Sequence, residues 1–116
     1  MNRIEELRVQ RMMQLGCIAC AWIPLVHAAH ECHHPLYGGR RISDWITIPL
    51  CRGHHQGDWS EEQRILIMPE KRIAISDGLK AFCRVYPTER ELWELVQERL
   101  GLSWPVSTKI VPRVVA

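Results

Sequence analysis

The sequence lacks the features of an exported or membrane-spanning protein. Its uninterrupted apolar runs all fall short of the about 20 residues that a membrane-spanning helix needs. The N-terminal segment lacks the basic start and apolar stretch of a signal peptide, because Glu5 and Glu6 stand where that stretch would be. We therefore expect a cytoplasmic protein.

The sequence also has little excess of charge of either sign. Its 15 basic and 13 acidic residues leave a net charge of +2, which by itself is too small to indicate a polyanionic partner. It contains no internal repeat and no low-complexity tract. With 116 residues, of which 47% are hydrophobic and 24% charged, the composition predicts one globular domain and excludes wholesale disorder.

The cysteines do not suit a disulfide framework. There are five, an odd number, and the expected compartment is reducing. Ten of the eleven Cys and His residues fall between Cys17 and His55. This clustering makes residues 17–57 the most informative part of the chain.

Two short spacings in this region indicate a zinc site. Cys17 and Cys20 form a C-x2-C pair, and Cys51 and His54 form a C-x2-H pair that follows 31 residues later. Two residues between ligands let a tight turn direct both side chains at one tetrahedral centre, and a Cys3His set is typical of structural zinc. The alternative interpretation is that these residues are ordinary buried thiols.

The histidines include two doublets, His33-His34 and His54-His55, of which His33, His34 and His55 are left unexplained by this assignment. Adjacent side chains of a strand point to opposite faces, so one histidine of each doublet can face a common site while its neighbour serves another purpose. With His54 in the zinc set, His55 is free to face His33 or His34 across a hairpin. Imidazoles that hold a divalent ion beside an imidazole base suit phosphodiester hydrolysis. The alternative is a group of surface histidines without a ligand.

Apolar and turn residues predict four segments in chain order. They are an N-terminal helix, a zinc-binding core, a helical segment and an extended tail, at residues 1–16, 17–57, 60–101 and 102–116. Asn2 caps the first helix and Gly16 ends it, while Ser60 and Thr88 each open a capping box. Two strands are expected over 25–32 and 45–50, and a further helix over 77–85.

The combined pattern resembles the HNH (ββα-metal, His-Me finger) endonucleases, and more closely the phage Ref family of RecA-dependent nucleases. The resemblance covers about residues 15 to 101. It depends on the C-x2-C pair, on Glu31-Cys32-His33-His34-Pro35, on Gly38-Gly39-Arg40-Arg41, and on the run Thr47-Ile48-Pro49-Leu50-Cys51-Arg52-Gly53-His54-His55-Gln56-Gly57. It implies an α+β fold, in which a small zinc-stabilised, treble-clef-like ββα-metal finger with flanking helices forms a single HNH nuclease domain over 1–116.

The resemblance also implies roles for individual residues. His34 matches the general base, whereas His33 and His55 match ligands of a catalytic Mg2+ or another divalent ion such as Zn2+. Cys17, Cys20, Cys51 and His54 match the structural zinc set of that family. The family usually has an Asn shortly before the Leu-Cys pair, and this chain has none there. Either Asp44 or Thr47 takes its place.

The remaining expectations concern residues around this site. Arg40, Arg41 and Arg52 are candidates for holding DNA phosphates, with a solvated turn as the alternative. Trp45 and Trp59 are predicted to pack in the core, with base stacking as the alternative. His27 and His30 are expected to be packing residues, and Glu31 to orient an imidazole.

The sequence therefore predicts a metal-dependent DNA endonuclease. We expect a phage or prophage protein of a bacterial host, associated with recombination, with DNA as its substrate and a RecA filament as a further partner. The alternative function is a non-catalytic zinc-finger module that binds DNA or protein. A third hypothesis is a structural phage component with incidental zinc.

Overall fold

A computed structural model describes residues 2–37, 39–41 and 43–102, apart from the side chains of Tyr37 and Arg41. Within these residues six helices form, which we number in chain order. They are α1 (Arg3–Gln14), α2 (Ile18–Trp22), α3 (Arg52–Gln56), α4 (Glu61–Leu66), α5 (Leu79–Phe82) and α6 (Glu89–Leu100). Two 3-10 turns, Pro69–Lys71 and Ile75–Asp77, join α4 to α5.

Four short strands form two antiparallel pairs. They are β1 (Glu31–His33), β2 (Leu36–Tyr37), β3 (Arg40–Arg41) and β4 (Ile48–Leu50). Strand β1 pairs with β4 so that Glu31 lies opposite Leu50 and His33 opposite Ile48, while β2 pairs with β3. Because Cys51 directly follows β4 and caps α3, the sheet leads straight into the helix that carries the second histidine doublet.

The strands are shorter than the sequence predicts. Residues 25–30 are not a strand, because their backbone hydrogen bonds go mainly to the C-x2-C pair. Leu25 donates to the Cys20 carbonyl, and the His27 carbonyl accepts from the Cys17 N–H group. Residues 45–47 form a turn in which Ser43 accepts bonds from the backbone N–H groups of Trp45 and Ile46.

The caps of the two long helices agree with the prediction. Asn2 and Thr88 open capping boxes on α1 and α6, and Gly101 ends α6 with a φ of +70°. The helix predicted over 77–85 is reduced to α5, because a 3-10 turn occupies residues 75–77 and Pro87 follows closely. The predicted extended tail lies outside the described residues from position 103 onward.

The core forms where α1, α2 and α6 meet strand β4. It consists of fully buried side chains from each of these elements and from α5, among them Met12, Ile18, Ile48, Leu50, Phe82, Leu92, Trp93 and Val96. Among the described residues, none of the helices has the length and apolar character that crossing a bilayer requires.

A buried cation joins α1, α6 and the turn before β4. The Arg8 guanidinium is 4% exposed and donates from two nitrogens to the Gln97 Oε1 atom, at 2.9 and 2.7 Å. A third nitrogen donates to the Thr47 hydroxyl at 2.8 Å, and that hydroxyl also contacts the Asp44 carbonyl at 3.3 Å. Burial lowers the pKa of Arg8 to about 10, so the side chain stays charged at neutral pH.

Replacing Arg8 should therefore destabilise the fold strongly. In Arg8→Ala, Gln97 and Thr47 lose a buried partner and a cavity remains, so we expect the free energy of unfolding to fall by about 3 kcal/mol. Urea unfolding of metal-loaded protein measures this change. Arg11→Ala is the matched control on the same helix, since Arg11 is exposed and makes one bond to the Leu100 carbonyl. Equal losses in both variants would contradict a structural role of this buried network.

Candidate functional site

The residues of the C-x2-C and C-x2-H pairs lie together in one buried cluster. The ligand atoms of Cys17, Cys20, Cys51 and His54 all lie within 4.8 Å of one another. The His54 Nδ1 atom is 3.4 Å from the sulfurs of Cys20 and Cys51 and 3.6 Å from that of Cys17. A tetrahedral zinc ion spaces such ligand atoms by roughly 3.5 to 3.8 Å. The Cys3His cluster therefore has the geometry to hold a metal ion such as zinc.

Local structure explains why the four atoms converge. Cys17 caps α2 and Cys51 caps α3, and each Sγ atom accepts the backbone N–H of the residue three positions on, at 3.4 Å. The residues that donate these N–H groups are the second ligands of each pair, Cys20 in α2 and His54 in α3. Helix N-termini favour negative charge, so both sites stabilise thiolates.

Two buried side chains outside the cluster orient its ligands. The His54 Nε2 atom contacts the Tyr86 hydroxyl at 2.6 Å, and that hydroxyl donates to the Lys71 carbonyl at 2.6 Å. The hydroxyl therefore accepts the Nε2 hydrogen, which leaves Nδ1 free to bind a metal. The Gln63 amide donates to the Cys51 sulfur at 3.2 Å.

The electrostatics of the cluster also favour a bound cation. Burial, followed by the hydrogen bond and charge of Cys51, raises the pKa of the Cys17 thiol to about 12. Hydrogen bonds from Cys17 and Cys20 lower the pKa of Cys51. A bound dication would offset most of the negative charge of three thiolate ligands.

The second histidine doublet lies in a helix and not in a strand, which corrects the expected geometry. In α3 successive side chains are about 100° apart, so His54 points inward to the cysteines and His55 toward β1. Gly53 permits this arrangement, because a Cβ atom there would lie 2.3 Å from the Trp59 ring. That ring packs against His54 with centroids 4.9 Å apart, as the packing interpretation of Trp59 predicts.

His55 meets the first doublet at His33. The His55 Nε2 atom is 3.1 Å from the His33 Nδ1 atom, and the ring centroids are 5.0 Å apart. Glu31 and His33 are two residues apart on β1 and share one face, so the carboxylate also reaches His55. The structure thus brings together two of the predicted ligands of a second metal ion.

Each of these imidazoles has a carboxylate on its far nitrogen. The His55 Nδ1 atom is 2.6 Å from Glu31 Oε1, and Gln56 donates to both oxygens of Glu31 at 2.8 and 2.6 Å. The His33 Nε2 atom contacts Glu89 Oε2 at the start of α6. A carboxylate accepts a hydrogen bond, and with the hydrogen on each far nitrogen the two facing nitrogens are left as acceptors. In that state the pair has the geometry to share a bound cation.

The other histidine of the first doublet has its own carboxylate. The His34 Nε2 atom is 3.1 Å from Asp44 Oδ1, a carboxylate oxygen that can accept a hydrogen bond from this nitrogen. Of the two residues considered in place of the family's Asn, Asp44 contacts His34. The Thr47 hydroxyl bonds Arg8 and the Asp44 carbonyl instead.

The predicted DNA contacts and packing residues are distributed around the site. Arg40 and Arg52 are exposed, and the Arg41 side chain is not described. Trp45 is half-buried and its ring lies against the Arg8 guanidinium, with the Cζ atom 5.9 Å from the ring centroid, while its backbone carbonyl accepts from the Trp93 indole. The packing interpretation fails for His30, which is exposed, while His27 is half-buried and bonds the Ala28 carbonyl.

Several residues of the site were not found from the sequence. In the sequence, Glu89 is only an acidic residue in the first turn of a predicted helix, 56 positions from His33. No local signal connects the two residues. The same holds for the partners of the metal cluster and of the turn before β4, namely Gln63, Tyr86, Arg8 and Gln97.

Comparison with known proteins identifies the family. No curated protein sequence matches the chain. One family model, described as recombination enhancement, RecA-dependent nuclease, matches residues 3–101. This range contains the Cys3His cluster, both histidine doublets and all six helices. Since the match covers well over half of the 116 residues, the chain belongs to the family of RecA-dependent nucleases of recombination enhancement.

Proposed function

We propose that this protein is an HNH-type DNA endonuclease, folded as a single domain over 1–116. The observation that carries the proposal is the pair of facing nitrogens on His33 and His55, 3.1 Å apart, with His34 next in the chain. In β1, β4 and α3 the chain has two antiparallel strands followed by a helix; β1 and α3 supply His33 and His55, and His34 directly follows β1. Family membership supports nuclease activity in recombination.

The Cys3His cluster serves as a structural zinc site in this proposal. All four ligands are buried and accept or donate bonds within the fold, so no open position faces substrate. The zinc site links α2 to the junction of β4 and α3 and thereby holds the helix that presents His55. It contributes folding energy and takes no part in the reaction.

The residues around His33 and His55 fit a catalytic divalent ion. Two nitrogen ligands of one ion at about 2.1 Å each are separated by roughly 3.0 to 3.4 Å, depending on the coordination geometry. The observed 3.1 Å falls in this range. Bound there, Mg2+ or another divalent ion would neutralise charge on the scissile phosphate and on the leaving oxygen.

His34 acts as the general base. Its Nδ1 atom is unprotonated while Asp44 holds the Nε2 hydrogen, so the ring can take a proton from the attacking water. Asp44 also fixes the orientation of the ring and stabilises the imidazolium that results. Arg8 stabilises the turn before β4 by donating to the Thr47 hydroxyl, which contacts the backbone carbonyl of Asp44 and not the carboxylate that bonds His34.

Exposed arginines beside the histidines bind the DNA backbone. Arg52 lies one turn before His55 on α3, and Arg40 lies on the hairpin that follows His34. Guanidinium groups pair with phosphates through two parallel bonds, which suits contacts that are independent of base sequence. Arg41, whose side chain is not described, belongs to the same proposed contact surface. A RecA filament is the further partner.

The structural zinc predicts a sharp difference between two cysteine variants. Cys20→Ser removes a buried ligand, so we expect the protein to lose its zinc and its cooperative thermal transition. Cys83→Ser is the control, because Cys83 is exposed and is not one of the four residues of the cluster. Metal content by mass spectrometry and calorimetry measure both effects. One zinc per chain retained in Cys20→Ser, with an unchanged melting temperature, would show that the cluster is not a zinc site.

The second metal site predicts that His55→Ala loses a divalent ion but keeps zinc. We expect the zinc-loaded parent to bind Mn2+, detected by electron paramagnetic resonance, and the variant to bind it at least tenfold more weakly. His30→Ala, an exposed histidine near β1, should bind as the parent does. A parent that holds one zinc, binds no Mn2+ and cleaves no DNA would favour the non-catalytic zinc module instead.

The assignment of the base predicts separate effects of three variants on plasmid nicking with Mg2+ or Mn2+, with and without a RecA filament. His34→Ala should lower the rate by about 10²- to 10⁴-fold, since proton transfer is lost. Asp44→Asn should lower it by about tenfold, because the ring loses its acceptor. Thr47→Val should reduce stability and spare the rate of the folded protein, since Thr47 contacts Arg8. Parental nicking by His34→Ala would refute the mechanism.

A further inference from the structure

We propose that Glu89 is the positioning residue that selects the tautomer of His33 and thereby keeps the His33–His55 pair open to a metal ion. This inference rests on the proposed function, because it concerns the same metal site. Glu89 comes from α6, outside the zinc-binding core of residues 17–57. The His33–His55 pair would then need α6 to keep the ring hydrogen of His33 on Nε2.

The His33 ring lies between two partners and has little access to water. Its Nε2 atom contacts Glu89 and its Nδ1 atom faces His55 at 3.1 Å. The side chains of His33 and Glu89 are only 12% and 15% exposed. Each nitrogen of the ring is therefore satisfied by protein groups, and the choice of tautomer depends on these two neighbours.

A neutral imidazole has one hydrogen to place, and the two placements have opposite consequences. With the hydrogen on Nε2, His33 donates to Glu89 and its Nδ1 lone pair is available to a metal. With the hydrogen on Nδ1, His33 donates directly to the His55 Nε2 atom at the observed distance. That bond uses the lone pair of His55 and leaves neither facing nitrogen available as a ligand.

Glu89 favours the first placement because a carboxylate can only accept. Glu31 does the same for His55, but it is also held by two hydrogen bonds from Gln56, which belongs to the same zinc-binding segment of residues 17–57. Glu89 is held instead by its place in the first turn of α6, directly after the cap at Thr88. The packing of α6 against the zinc-binding segment of residues 17–57 thus sets the tautomer of His33 on β1.

Glu89→Gln tests this inference, because an amide can either accept or donate and no longer enforces one tautomer. The first readout is the ¹⁵N spectrum of the His33 ring in zinc-loaded protein without Mg2+, at pH 8, above the ordinary imidazole range. His33→Ala assigns the signals. We expect hydrogen on Nε2 in the parent and a shift of the population toward Nδ1 in Glu89→Gln. The second readout is Mn2+ binding, which should weaken by about 10- to 100-fold.

Glu91→Gln is the matched control. Glu91 lies in the same turn of α6 and loses the same charge, and its capping bond to Thr88 can be kept by glutamine. We expect its His33 tautomer and Mn2+ affinity to equal those of the parent. Parental spectra and Mn2+ affinity in Glu89→Gln would overturn the proposal, as would equal changes in Glu89→Gln and Glu91→Gln.

The two readouts separate this inference from the proposed function. The ring spectra are recorded without the divalent ion, so they decide the role of Glu89 even if the parent binds no Mn2+. A parent without Mn2+ binding would contradict the metal site of the proposed function. A tautomer shift confined to Glu89→Gln would still support the positioning role in that case.

Discussion

The structure depends on the convergence of three thiols and one imidazole between two helix N-termini. This cluster lies where α2, β4 and α3 meet, and the strands that it supports have only three residues each. Such short strands bury too little surface to hold their register alone. A metal ion at this point would replace the packing that a larger sheet provides. The cluster also fixes the position of His55, because His54 belongs to the cluster and directly precedes His55 on α3.

The candidate site is built from elements with different origins of stability. α3 carries a residue of the cluster, β1 pairs with β4 beside it, α6 belongs to the hydrophobic core, and the turn before β4 is held by a buried guanidinium. β1 supplies Glu31 and His33, α3 supplies His55, α6 supplies Glu89, and the turn supplies Asp44. Three imidazole–carboxylate pairs result, namely His33–Glu89, His55–Glu31 and His34–Asp44.

The sequence allowed the Cys3His cluster to be predicted because its signal is local. Two residues between ligands is a property of a turn, and it is readable without the fold, as are the capping boxes of α1 and α6. The strand lengths could not be predicted, because backbone groups of residues 25–30 bond to Cys17 and Cys20. The position of these two residues is set by tertiary contacts. Whether Asp44 or Thr47 contacts His34 was equally open. Glu89 was out of reach, since its pairing depends on how α6 packs.

The adjacency of His54 and His55 limits how this region can change. Both imidazoles lie within five residues of Cys51, on barely more than one helical turn, and each faces a different centre. A single inserted or deleted residue in this stretch would rotate the downstream side chain by about 100° and remove it from its place. Changes between Cys51 and His55 that keep both imidazoles in place must therefore exchange side chains at constant length.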